Sequence, residues 1–153
     1  MAATMKMLWK RFTGDSERAD CEFSVFETGL TAEQCEVEVM SCGDVVSTEK
    51  YDRIKDIERQ CMELVVDLSS EYQLRLVRTS SGAAYIDQAT FNELYTVVSL
   101  YVNHAKNFEV YLGDAELLVA FHHDFTILVY TIRSNEIERV CEVFRRNRFH
   151  ELR

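Results

Sequence analysis

The sequence predicts a single-domain α+β fold in which an antiparallel β-sheet is flanked by about three helices. Short segments alternate apolar and polar residues with the period of a half-buried strand, and longer segments repeat apolar residues at helical spacing. The 153 residues include no proline and only five glycines, so no linker divides the chain. The predicted order is ββ-α-ββ-α-βββ-α, with residues 1–19 as an N-terminal amphipathic arm and loop and residues 20–153 as the domain.

The first predicted hairpin spans residues 21–42. "CEFSVF" and "CEVEVM" both alternate in polarity, and "ETGLTAE" connects them. This pairing places Cys21 and Cys35 on adjacent strands, which leaves open one disulfide between them.

The first long helix is predicted to begin at a cap formed by Ser47 or Thr48 and to end near Ser69-Ser70. Glu49 in its first turn suits the helix dipole. The predicted buried stripe is Tyr51, Ile54, Ile57, Cys61, Leu64, Val65 and Leu68.

A second hairpin follows, formed by "YQLRLVR" and "AAYI", with Tyr72, Leu74 and Leu76 on one face. Asp87 is the expected N-cap of the second helix. Since β-branched residues such as Val97 form helices poorly, a strand through "YTVVSLYV" competes with this helix. The predicted helical stripe is Phe91, Leu94, Tyr95, Val98, Tyr101, Val102 and Ala105.

Three strands and a helix complete the predicted domain. "FEVYL" and "ELLVAF" are joined by a Gly113-Asp114 hairpin turn, and residues 125–132 read as a central strand that is apolar on both faces. Ser134 or Asn135 is the expected cap of the last helix, with Glu138 completing a capping box from Asn135. Its predicted buried stripe is Ile137, Val140, Cys141 and Phe144, and His150 falls in a tail.

The charge pattern bears on partners. The net charge of −9 argues against direct nucleic-acid binding, which needs clustered Lys and Arg. Residues 19–49 contain no Lys or Arg, so this block is either a solvated face or a docking surface for a basic partner protein. The candidate docking residues are Glu22, Glu27, Glu33, Glu36, Glu38 and Asp44.

The N-terminal arm offers a second candidate surface. Met5, Leu8, Trp9 and Phe12 recur at helical spacing among basic residues. Such an arm packs on its own domain, docks on a partner protein or touches an anionic membrane. We favour the first two alternatives over membrane contact.

His122, His123 and Asp124 are the alternative candidates for a metal site or a general base. Adjacent residues in an extended segment point to opposite faces, and no third ligand stands at a recognisable spacing. We therefore interpret this stretch as the polar turn of a hairpin. The sequence contains no G-x-S-x-G, P-loop or G-x-G-x-x-G motif. We predict no catalytic residue, metal or cofactor.

Cysteine usage predicts the compartment. The five cysteines are odd in number and show no C-x-x-C spacing. The first residues show neither a secretory signal nor an apolar run long enough to span a bilayer. These features predict the cytoplasm or another intracellular reducing compartment.

The element order from Thr48 onward resembles the roadblock and profilin-like class of small α/β modules. The similarity is clearest in "QATFNELYTVVSLYVNHAKNFEVYLGDAELLVAFHHDFTILVYTIRSNEIERVCEVF". The resemblance implies side-by-side dimers that act as scaffolds without catalysis. This chain departs from the class in its added hairpin at residues 21–42.

Together these features predict a non-catalytic protein–protein interaction module, acting as a scaffold, adaptor, inhibitor or chaperone-like protein. We expect a homodimer or a subunit of a complex. The alternative is an enzyme or metal-binding protein that uses His122, His123 and Asp124.

Overall fold

Seven described strands form one antiparallel sheet in the computed structural model of the protein. The structure describes residues 19–29, 31, 33–34, 47–79, 84–86, 89–113 and 117–152. The strands are β1 (Cys21–Ser24), β2 (Leu74–Thr79), β3 (Ala84–Ile86), β4 (Phe108–Leu112), β5 (Leu117–Phe121), β6 (Thr126–Thr131) and β7 (His150–Glu151). Their order in the sheet is β3-β2-β4-β5-β6-β1-β7.

Three helices have both ends within the described residues: α1 (Thr48–Glu71), α2 (Phe91–His104) and α3 (Ile137–Arg146). A 3₁₀ turn, Ser134–Glu136, leads into α3. The predicted α+β fold, with an antiparallel sheet and three helices, is confirmed. The second strand of the predicted first hairpin falls in residues 35–46, outside the described residues. No helix in the described part of the chain is both long enough and apolar enough to cross a bilayer.

The main core lies between the helices and one face of the sheet, which we call the first face. Burial of these apolar side chains is the main stabilising contribution to the fold. All three helices contribute side chains to it, including Ile54, Leu94 and Val140. Tyr101 packs at its centre, with ring centroids 5.5 Å from Phe108, 5.6 Å from Phe121 and 5.3 Å from Phe125.

The opposite, second face of the sheet carries a smaller apolar cluster. Its buried members are Leu76, Tyr111, Leu118, Ala120 and Tyr130. Ala19, where the described chain begins, packs against this cluster. β6 therefore buries side chains on both faces, as predicted for a central strand.

A β-bulge in β2 separates two leucines that we predicted to share a face. The register of β2 against β4 shifts between Leu74 and Leu76. Leu74 consequently packs against the main core, whereas Leu76 joins the second-face cluster. The prediction is wrong because an extra residue in a strand inverts the alternation of the residues that follow it.

Ser47, one of the two predicted caps, is the N-cap residue of α1, and its hydroxyl accepts a hydrogen bond from the Lys50 N–H. Residues 91–104 are helical, which settles the choice between helix and strand. The cap of α2 is not Asp87 but Thr90, which forms a reciprocal capping box with Glu93.

The β4–β5 connection is longer than the predicted Gly113-Asp114 turn. The register pairs Leu112 with Leu117, so residues 113–116 connect the strands. A two-residue turn would instead pair the residues directly flanking Gly113 and Asp114.

α3 begins without the predicted capping box. Ser134 and Asn135 form part of the 3₁₀ turn. Glu136 is the N-cap residue of α3, and its side chain makes no capping hydrogen bond. After the helix the chain forms β7, which pairs with β1, so His150 lies in an edge strand rather than in the predicted tail. β1 thus lies between β6 and β7.

Candidate functional site

The acidic segment, which we define as residues 25–34, follows β1, and the structure describes residues 25–29, 31, 33 and 34 of it. Phe26 fixes its first half: the Phe26 N–H donates to the Ser24 hydroxyl at 3.2 Å, and its ring meets Phe125 edge-on at 5.9 Å. The Arg53 guanidinium of α1 lies 5.6 Å from the centre of the same ring. This anchoring leaves the next residue, Glu27, exposed.

The second half of the acidic segment is stabilised by a capping box. The Thr31 N–H donates to the Gln34 side chain at 2.9 Å, and the Gln34 N–H donates to the Thr31 hydroxyl at 3.2 Å. Glu33 and Gln34 are helical and exposed. The predicted loop over residues 27–33 therefore ends in the first turn of a helix.

The structure describes half of the predicted acidic docking residues. Glu27 and Glu33 are exposed, whereas Glu22 is half-buried on the second face of the sheet, opposite Leu128 of β6. Three further predicted docking residues lie outside the described residues: Glu36, Glu38 and Asp44. The predicted arm residues also lie outside them: Met5, Leu8, Trp9 and Phe12.

Arg145 and Arg146, at the end of α3, are ion-paired within the chain. Arg146 bridges to Glu71 at 2.6 Å and to Asp67 at 3.3 Å, which joins α3 to α1. Arg145 bridges to Glu138 at 2.6 Å and to Glu151 at 2.9 Å. Carboxylates within the chain thus balance the charges of Arg145 and Arg146.

His122, His123 and Asp124 form the predicted hairpin turn. The Phe125 N–H donates to the His122 carbonyl at 3.0 Å, and the Thr126 N–H donates to the Asp124 carboxylate at 2.9 Å. Phe125 completes the turn with φ of 63°, so it lies outside the strand predicted to begin there. Within the described ranges, these three side chains do not bring their ligand atoms within 4.8 Å of one another.

A different set of potential ligands does gather in the structure. The sulfurs of Cys21 and Cys141 are 3.2 Å apart, and a carboxylate oxygen of Glu151 lies within 4.8 Å of both. Both cysteines are free thiols, so the suggested Cys21–Cys35 disulfide is not formed in this structure. The sequence placed both cysteines toward the core, but their pairing depends on the packing of α3 against β1.

Glu58 is a buried carboxylate that the sequence analysis missed. It is 3% exposed and accepts hydrogen bonds from Tyr95 Oη at 2.7 Å, Asn103 Nδ2 at 2.8 Å and Lys55 Nζ at 3.2 Å. Burial alone raises the pKa of the Glu58 carboxyl, but these three hydrogen bonds outweigh burial and hold the pKa below its ordinary value. The cluster links α1 to α2 through a charged group.

Aromatic side chains are exposed on the outer surface of the helices. Phe91 and Tyr95 are 62% and 41% exposed, although both were predicted to be buried. The stripe of α2 is shifted, because Val97 takes a core position and Tyr95 turns its hydroxyl to Glu58. Tyr51 of α1 was also predicted to be buried, and this is wrong: it is exposed, with Lys55 Nζ 5.9 Å from its ring centre.

Comparison of the chain with family models, with curated proteins and with solved structures finds no match. The resemblance to roadblock and profilin-like modules therefore stays a prediction.

Proposed function

We propose that the protein is a non-catalytic protein–protein interaction module that docks on a basic surface of a partner protein. The observation that carries this proposal is the acidic segment, where Glu27 and Glu33 are exposed beside ordered anchors. A scaffold, an adaptor or an acidic inhibitor or chaperone-like protein uses a surface of this kind.

The contacts of Phe26 and the position of Gly29 support a docking role for the acidic segment. The Phe26 ring packs between Arg53 of α1 and Phe125 of the hairpin turn. Gly29 lies beside Leu152: a methyl group added at its Cα would be 3.8 Å from the Leu152 side chain. A surface held in place loses less conformational entropy on binding than a free tail does.

The charge distribution supports a basic partner. No Lys or Arg stands between Ala19 and Glu49, and the arginines of α3 are engaged by Glu71, Asp67 and Glu138. A surface of one sign steers an oppositely charged partner and accelerates encounter.

Exposed aromatic side chains on the helices offer a separate apolar surface, with Tyr51 on α1 and Tyr95 on α2. Tyr51 and Tyr95 are both close to Lys55. Aromatic residues are enriched at the centres of interfaces, where they contribute much of the binding energy.

The proposal is tested by affinity capture from the native extract, followed by titration of the captured partner. Glu27→Lys combined with Glu33→Lys is expected to weaken binding about tenfold or more at low salt, and rising NaCl is expected to weaken wild-type binding. The matched control is Glu63→Lys combined with Glu142→Lys, which changes the net charge equally on exposed helical positions. Equal loss in both double variants, or binding indifferent to salt, would contradict the acidic segment as the docking site.

The N-terminal arm is the other predicted route to a partner. Deletion of residues 1–12 separates the two: if the acidic segment binds, the deletion leaves capture intact. If capture is lost on deletion and survives charge reversal, the arm is the docking element. Light scattering of the purified protein tests the proposed homodimer.

A further inference from the structure

We infer that Cys21 and Cys141 form an oxidative modification site, at which an oxidant of the peroxide class joins them in a disulfide between β1 and α3. Their sulfurs are 3.2 Å apart, and both carry free thiols. The two residues are 4% and 1% exposed, so a small oxidant is favoured over a bulky disulfide such as oxidised glutathione. The inference stands apart from the proposed function, because it needs no partner protein.

Two neighbouring contacts fix the relative position of these cysteines. Cys21 and Phe23 lie on the same face of β1, and Cys141 and Phe144 lie on the same buried side of α3. The rings of Phe23 and Phe144 stack with centroids 4.3 Å apart and planes 18° apart. With strand and helix held by this stack, the sulfurs need to approach only from 3.2 Å to the roughly 2.05 Å of a disulfide bond.

The same geometry favours a disulfide over a metal site, despite the nearby Glu151 carboxylate. A tetrahedral zinc ion with Zn–S bonds of about 2.3 Å holds its sulfurs about 3.8 Å apart, so these thiols would have to separate. The Glu151 carboxylate also already accepts a hydrogen bond from Arg145 at 2.9 Å.

The oxidation proceeds in two balanced steps. One cysteine loses its proton to solvent, and its thiolate attacks an oxygen of hydrogen peroxide, forming the S–O bond of a sulfenic acid as the O–O bond breaks. The hydroxide that leaves takes up a proton from solvent and becomes one water. The second thiol attacks the sulfenic sulfur, the S–S bond forms, and the S–O bond breaks to release a second water. Two electrons pass from the sulfurs to the peroxide, which is reduced to water.

Burial slows the first step at neutral pH. Burial, with the hydrogen bond to Cys141, raises the pKa of the Cys21 thiol to about 12, and burial raises the pKa of Cys141. Since only the thiolate reacts, the rate is expected to rise about tenfold for each pH unit between pH 7 and pH 9.

The test treats the native full-length protein with hydrogen peroxide, blocks remaining thiols with an alkylating agent and maps the peptides by mass spectrometry. The expected product is a crosslink between the peptides that hold Cys21 and Cys141. Cys61 is the internal control: it is a buried free thiol, and burial also raises its pKa to about 12. It is expected to stay alkylatable after unfolding. Reduction with dithiothreitol is expected to reverse the crosslink.

A thermal scan gives a second readout. Closing the long loop between the two cysteines is expected to raise the melting temperature by roughly 5 °C or more. Cys21→Ala and Cys141→Ala should each lose this rise, and Cys61→Ala should keep it. The inference is overturned if peroxide leaves both thiols free, if Cys21 is linked to Cys35 instead, or if the pair binds one equivalent of zinc that blocks the crosslink.

Discussion

Phe125 combines an unfavourable backbone conformation with favourable burial of its side chain. Its φ of 63° places it in the left-handed region, which costs a non-glycine residue about 1–2 kcal/mol. The conformation is retained because the ring is 1% exposed and contacts both Tyr101 and Phe26. One residue thus closes the His122–Phe125 turn, completes the core and supports the acidic segment.

Substitutions at Phe125 separate these two contributions. Phe125→Ala is expected to lower the free energy of unfolding by about 3 kcal/mol or more, because it empties a buried ring site. Phe125→Gly removes the same ring, but glycine adopts the positive φ without steric strain. The glycine variant should therefore be more stable than the alanine variant by about 0.5–1 kcal/mol. Urea denaturation measures both. An alanine variant more stable than the glycine variant would contradict strain at this position.

Glu58 should make stability depend on pH in a defined direction. Its pKa is lowered in the folded state, so its charge stabilises the fold above the ordinary value near 4.5 and loses that contribution as pH falls through the folded pKa. Glu58→Gln is expected to cost about 1–3 kcal/mol at pH 7, because hydrogen bonds to a charged group are replaced by weaker ones. The difference from wild type should shrink below pH 4.5.

Asp56→Asn is the matched control for Glu58→Gln. The Asp56–Arg59 pair has the same three-residue spacing as Lys55–Glu58, but its side chains are 70% and 63% exposed. Such an exposed pair contributes less than about 0.5 kcal/mol. Denaturation curves at several pH values should therefore barely separate this variant from wild type. An equal loss in both variants would exclude a special role for the buried carboxylate.

At the scale of elements, the end of α3 is a Schellman motif without its usual glycine. The Phe149 N–H donates to the Phe144 carbonyl at 3.1 Å, and the Arg148 N–H donates to the Arg145 carbonyl at 2.9 Å. The rings of Phe149 and Phe144 meet at 5.7 Å, the apolar contact that accompanies such motifs. Arg148 occupies the left-handed position with φ of 64°.

Arg148→Gly is therefore expected to raise the free energy of unfolding by about 0.5–1 kcal/mol. The pairing of Arg148 with Glu63, at 3.9 Å between exposed groups, is too weak to offset this gain. Glu142→Gly, at an exposed position inside α3, should instead cost about 1 kcal/mol. Thermal unfolding of the two variants should move in opposite directions, and movement in the same direction would contradict the motif.

Periodicity predicted the elements better than their ends. The apolar stripe of α1 follows from burial on one side of a helix, and the continuous apolar runs of β5 and β6 follow from burial on both faces of a strand. Thr90 escaped notice as a cap because Asp87 offered the same chemistry three residues earlier, and only the fold selects between them. The β2 bulge leaves no pattern in a strand with leucines on both faces.

At the scale of the molecule, β1 is held on both sides by strands from the second half of the chain. β6 pairs along its whole length, and β7 pairs at Phe23 and Ser24. The Leu152 N–H also donates to the Glu22 carbonyl at 2.8 Å. The C-terminal residues therefore protect an edge of the sheet.

Deletion of residues 150–153 should cost about 2 kcal/mol, since it removes backbone hydrogen bonds to β1 and exposes its edge. Glu151→Ala keeps the backbone and loses only an exposed ion pair, so it should cost less than about 1 kcal/mol. Urea denaturation compares the two. A deletion no more damaging than the single substitution would show that β7 contributes no stability through its backbone.

The candidate sites differ in whether the sequence alone could predict them. The acidic segment is visible in the sequence, because the absence of Lys and Arg over residues 19–49 does not depend on folding. The Cys21–Cys141 contact and the Glu58 cluster each join side chains from distant elements. Alternation and helical spacing predicted inward-facing cysteines, but which ones meet depends on how α3 lies against β1.

The sheet order also constrains the timing of assembly. Among the described strands β1 is made first, yet its neighbours are residues 126–131 and 150–151. A nascent chain consequently exposes the phenyl ring of Phe23 until these residues and α3 have been made, and contacts this distant in sequence form slowly. Chains terminated before residue 137 are expected to aggregate, whereas chains that include α3 bury that ring against Phe144.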